Sequence, residues 1–139
     1  MARYVLDASV VLAWVLQENL ERVDRFIDAL VEGEDVLVGP RLLIPECTSV
    51  IHELSFHGRI EVNDVPRYIE DLLAMRIQTT DNAQQFRHAV QLAQQFGHAK
   101  AYDMQYLAAA LAEGVELVTV DNGMRQAAIN IKHPVRFLR

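Results

Sequence analysis

Three observations predict an α/β chain, a three-layer α/β/α sandwich with a mostly parallel central sheet. Short apolar runs of strand character recur along the sequence, at Tyr4–Leu6, in DVLVGP and in VELVTVD. Longer segments with apolar residues at helical spacing separate them. Glycines and prolines punctuate the boundaries, with no repeat, linker or low-complexity segment between. Strands alternating with amphipathic helices imply a sheet covered on both faces, with ligand sites beyond the carboxyl ends of the strands.

Each element can be justified in turn. Tyr4–Leu6 reads as a short buried strand ending at Asp7, after which Ser9 is placed to cap a helix carrying Val10, Val11, Trp14 and Val15. ENLERVDRFIDALVEG spaces Leu20, Val23, Phe26, Ile27, Leu30 and Val31 as one helix face and stops at Gly33. DVLVGP is the second strand. In RLLIPECTSVIHELSFHGR, Pro45 suits only the first turn of a helix, whose inner face is Cys47, Val50, Ile51 and Leu54.

Asn63 or Asp64 opens the next helix, with Val65, Ile69, Leu72 and Leu73 inward, and RIQTT reads as a short strand. Asp81 or Asn82 opens a helix through Phe86, Ala89, Val90, Ala93 and Phe96. AYDMQYLAAALAEG, rich in Ala and Leu, is the strongest helix and ends at Gly114. VELVTVD is a β-branched strand ending at Asp121; a short helix, Met124–Ile129, and a strand, PVRFL, close the chain.

The length of 139 residues suits one domain spanning 1–139, and 51% apolar with 23% charged residues is an ordinary globular balance. No signal peptide is expected in MARYVLD, and the longest apolar run, Val10–Leu16, falls far short of the roughly 20 residues a bilayer span needs. Cys47 is the single cysteine, so no internal disulfide is available; a reducing cytoplasm and a small core residue are the expected readings. A net charge of −6 argues against holding nucleic acid on a broad basic surface. It leaves open an enzyme that meets nucleic acid through bound cations.

The acids sort by position. Glu21, Asp24, Asp28, Glu32, Glu34, Glu70 and Asp71 lie on polar helix faces. Asp7 and Asp121 each end a strand and should emerge on the same sheet edge, whereas Glu46 and Asp103 stand in first turns of helices. Each alone is explained by capping or by the helix dipole. Together on one edge they would repel and raise one another's pKa unless cations sat between them. Oxygen ligands without Cys or His suit Mg²⁺ or Mn²⁺. Such a cluster is equipment for hydrolysing a phosphodiester.

The blocks VLDASVVLAWV, LLIPECTSVIHEL, AYDMQYLAAALAEG and LVTVDNGM resemble, in order, the four acidic blocks of PIN-domain ribonucleases, and more narrowly the VapC-type toxins of toxin–antitoxin pairs. The resemblance runs from Tyr4 to about Phe137. It implies that Asp7, Glu46, Asp103 and Asp121 are the catalytic, metal-binding quartet for Mg²⁺ or Mn²⁺, with Asp7 and Asp103 the steadiest ligands and Asp121 the most variable. It further implies endonucleolytic cleavage of RNA by water leaving a 5′-phosphate, a homodimer, and an antitoxin protein lying across the groove. Trp14, Phe26, Ile27 and Leu30 offer apolar surface for such a partner, though most of it is expected in the core.

Ser9, Thr119 and Asn122 are supporting candidates near the acids, and capping explains them equally well. Arg41, Arg125 and Arg3 are candidates for RNA backbone contact, against the default of ordinary surface arginines. His98 and Lys100 precede Asp103 and could touch a phosphate; Tyr102 and Tyr106 could stack a base, but their helical spacing favours packing. The five histidines share no ligand spacing. Two other readings compete. A haloacid-dehalogenase-like phosphatase would use Asp7 as nucleophile, but the second Asp expected two residues on is Ser9 here. A catalytically inactive PIN-like domain would serve only as a binding module.

Overall fold

Residues 2–98 and 100–139 are described by the structure, a computed structural model. At its centre lies β1 (Arg3–Leu6), flanked by β2 (Val36–Pro40) and β4 (Glu116–Thr119), with β3 (Gln78–Thr80) and β5 (Val135–Phe137) at the edges. The order is β3-β2-β1-β4-β5 and every pairing is parallel, so the expected mostly parallel sheet is wholly parallel among the described residues. In register, Val5 lies beside Val38 on one side and Leu117 on the other. All three are completely buried, which explains why these strands lack a polar alternate face.

The helices are α1 (Ala8–Val15), α2 (Glu21–Glu32), α3 (Leu43–Phe56), α4 (Val65–Ala74), α5 (Ala83–Gln95), α6 (Met104–Glu113) and α7 (Asn122–Asn130). Right-handed crossovers put α1–α4 on one face of the sheet and α5–α7 on the other. The packing agrees: α1 touches α2, α3 and α4, whereas α6 lies on β1, β2 and β4 with α5 against it. The chain moves outward from β1 to β2 and β3, then crosses to β4 and β5. That reversal opens a crevice at the carboxyl ends of β1 and β4, where such sheets bind ligands.

Local chemistry sets the joints. Gly39 lets β2 pass close over α3, since a Cβ there would meet Leu43 Cδ2 at 2.6 Å. Gly114 ends α6 at φ +67, a conformation glycine adopts without strain. Asn82 caps α5 by accepting from the Gln85 N–H at 2.8 Å.

Several sequence expectations need correction. Asp7, not Ser9, caps α1: its carboxylate takes the Val10 N–H, and Ser9 is already inside the helix. Neither Asn63 nor Asp64 caps α4 with its side chain; a single 3₁₀ turn, Val62–Asp64, leads into it instead. Phe86 and Val90, expected inward, are 49% and 52% exposed, because α5 buries Gln85, Ala89, Leu92 and Ala93 against its neighbours. Leu73 and Val31 are likewise outward. Of the residues considered as partner surface, Ile27 and Leu30 are core, and Phe26 packs edge-on against Tyr4 at 5.3 Å. The Trp14 indole N–H donates to Asp28 at 3.0 Å.

Candidate active site

Asp7 emerges at the end of β1 and remains 4% exposed. Both carboxylate oxygens are engaged. Oδ1 accepts from Ser9 Oγ at 2.5 Å and from the Val10 N–H at 3.2 Å; Oδ2 accepts from Thr119 Oγ1 at 2.5 Å. Thr119 Oγ1 in turn accepts from the Asp121 N–H at 2.9 Å, and Ser9 Oγ from the Val120 N–H at 3.3 Å. Two hydroxyls therefore stitch the end of β1 to the end of β4 through Asp7. Burial pushes the Asp7 carboxyl up to about 6; the bonds from Ser9, Thr119 and Val10 pull the other way, and the Asp121 charge adds to the rise.

Asp121 caps α7, accepting from the Met124 N–H at 2.7 Å, and its residue is exposed. Asp103 occupies the N-cap position of α6 with helical backbone angles, φ −64 and ψ −33, and makes no side-chain capping bond. Its carboxylate is thereby left for the cleft rather than spent on the helix end. Glu46, half-buried in the first turn of α3, accepts a hydrogen bond from the Tyr106 hydroxyl. Tyr106 is buried, and desolvation followed by the Glu46 bond and charge holds its phenol in the protonated form, well above its ordinary value.

All four acids line one cleft of about 600 Å³. Its described lining carries no lysine or arginine, with Ser9, His98, Gln126 and Asn130 as further polar members and Leu12, Val50, Phe96 and Met124 as an apolar wall. Among the described residues, no three acids, histidines or cysteines converge tightly enough to enclose an ion by themselves.

The remaining candidates fall elsewhere. Thr119 is behind Asp7, fully buried, and Asn122 is an exposed first-turn residue of α7 outside the cleft lining. Arg41, just past β2, pairs with Asp81 just past β3 at 2.9 Å. Arg125 lies over the Phe137 ring at 4.7 Å, and Arg3 reaches Glu113 at 3.4 Å. His98 reaches the cleft; Lys100 and Tyr102 are exposed and outside its lining. Cys47 is core as expected, its thiol pushed up to about 12 by burial and by the Glu46 and Asp7 charges. Sequence reasoning missed Gln126 and Asn130. Their spacing of four on the helix after Asp121 was the available signal, since such residues share a face.

A wholly parallel sheet with an acid-lined crevice at its switch point agrees with the family assignment, for the profile described as PIN domain matches residues 4–130 and the chain belongs to the PIN-domain family. No curated protein matches the chain in sequence. Among solved structures, it is similar to VapBC2 from Rickettsia felis bound to a DNA fragment from their promoter, with TM-score 0.69, 13% identity and 99% of each chain covered. It is also similar to VapBC-1 from nontypeable Haemophilus influenzae, with TM-score 0.67, 18% identity and 98% of each chain covered. FitAcB from Neisseria gonorrhoeae gives TM-score 0.57 at 23% identity over 95% of each chain. At these identities the likeness is one of fold.

Proposed function

We propose that the protein is a Mg²⁺- or Mn²⁺-dependent endoribonuclease, the toxin of a toxin–antitoxin pair, acting in the cytoplasm as a homodimer restrained by a small antitoxin protein. The observation that carries this reading is the cleft itself: four carboxylates from four separate elements, with no lysine or arginine in the described lining. In a PIN-domain chain this donor set fits a hard divalent cation. No three candidate ligands enclose a point among the described residues, so an ion held there would keep several waters, as Mg²⁺ ordinarily does. The likeness to VapBC and FitAB structures supports the antitoxin partnership.

Asp7, Glu46, Asp103 and Asp121 would hold one or two ions. A bound divalent cation would supply an activated water and charge stabilisation at the leaving oxygen. The chain's own contribution is positional. Ser9, Thr119 and the Val10 N–H fix both oxygens of Asp7 in the crevice. Asp103 and Asp121 line the cleft from the N-caps of α6 and α7. Leu12, Val50, Phe96 and Met124 give the cleft an apolar wall beside the acids. Against the phosphatase reading stands Ser9, which occupies the place of the second Asp expected two residues after Asp7.

Incubating the purified protein with RNA and Mg²⁺ or Mn²⁺ tests the reading. Cleavage should leave 5′-phosphates, stop with EDTA, and be lost in Asp103→Asn without a change in Tm. Wild-type activity in that variant would overturn the site assignment.

A further inference from the structure

We propose that Tyr106 is the positioning residue for Glu46, its hydroxyl holding the one long acid of the cleft ready for a cation. The inference rests on the nuclease reading and deepens it at the second acid. The other three carboxylates are short aspartates at the starts of helices, and two of them are bound to local backbone. Asp7 and Asp121 accept from the N–H three residues on, and Asp103 stands on the N-cap of α6. Glu46 differs. It lies within α3 on a longer side chain with more rotamers to lose. Among the described residues, the donor that fixes it is the Tyr106 hydroxyl, which bonds Oε2.

Tyr106 is suited to that task. It is 2% exposed, so its ring is locked by core packing and its hydroxyl is a fixed point at the cleft wall. It stands three residues after Asp103, so α6 presents the third acid and also anchors the second. With Oε2 accepting from Tyr106, Oε1 of Glu46 has no hydrogen-bond donor among the described residues and is the more open oxygen for a cation. Groups that orient a ligand from behind typically govern metal affinity by 10- to 100-fold, roughly.

The test compares wild type, Tyr106→Phe, Glu46→Gln and the double variant, measuring Mn²⁺ binding by isothermal titration without RNA, alongside Tm and RNA cleavage. The phenylalanine keeps the ring and removes only the hydroxyl. Tyr106→Phe should lower Tm by no more than a few degrees, as expected for one lost hydrogen bond, and weaken Mn²⁺ binding about tenfold. Glu46→Gln should weaken it at least as much, and the second substitution should add nothing to Glu46→Gln, the signature of two residues acting as one unit. Cleavage by Tyr106→Phe should need more Mn²⁺ at an unchanged KM for RNA. Wild-type Mn²⁺ affinity in Tyr106→Phe, or additive losses in the double variant, would reduce Tyr106 to a packing residue. Wild type that binds Mn²⁺ with the expected variant pattern but cleaves no RNA removes the nuclease reading alone. No Mn²⁺ binding by wild type overturns both.

Discussion

Asp7 shows what a single residue can carry. Its proton is held more tightly in the folded chain, at about 6, than at the ordinary value of 3.8. The stability tied to this group is therefore fully present below about pH 3.8 and is lost as pH rises through about 6. That tighter hold on the proton disfavours the charged form by on the order of 3 kcal/mol. In metal-free buffer, Asp7→Asn should be more stable than wild type at pH 7 by up to that amount, and the difference should vanish near pH 4. Urea melts at both values check it. An asparagine can keep the Ser9 and Val10 bonds and donate to Thr119, so the fold survives while cleavage is lost. The sequence revealed that Asp7 is an acid among apolar residues. It could not reveal that two hydroxyls 110 residues apart, on Ser9 and Thr119, meet there within 3.4 Å.

At the scale of the element, the acids differ by how each helix begins. Asp7, Asn82 and Asp121 have extended backbone at the N-cap and spend an oxygen on the N–H three residues later. Asp103 has helical angles there and makes no side-chain capping bond. Capping and a place in the cleft were equivalent readings in sequence; Asp7 and Asp121 do both, and Asp103 lines the cleft without a capping bond. Asn82→Ala, remote from the cleft, should cost about 1 kcal/mol, the usual loss for a cap, with cleavage unchanged; a thermal melt tests it. Gly39→Ala should cost more, about 1–3 kcal/mol, because the new methyl meets Leu43 between β2 and α3. The outward Phe86 and Val90 have a parallel lesson: periodicity showed that α5 is amphipathic, but not that its buried stripe would centre on Gln85 and Ala89.

For the whole molecule, the strand order decides the chemistry. Because the chain leaves β1 in one direction and resumes at β4 on the other side, Asp7 and Asp121 end adjacent strands despite lying far apart in sequence. Glu46 and Asp103 then close over them from opposite faces of the sheet. Four carboxylates lining one cleft should make the folded chain respond to divalent cations. Saturating Mn²⁺ should raise Tm by several degrees, since a ligand at about 100 times its Kd adds roughly 2.7 kcal/mol. EDTA should reverse the rise, and Asp7→Asn should shrink it. Differential scanning calorimetry reads all three. The sequence alone determined the α/β class, nearly every element and the identity of four candidate acids, because apolar periodicity, glycine stops and strand-end acids are local signals. Tertiary structure decided the wholly parallel order, the switch between β1 and β4, the hydroxyl clasp on Asp7 and the hold of Tyr106 on Glu46. Those depend on which distant segments become neighbours, and that is set by burying both faces of one sheet rather than by any pattern within a segment.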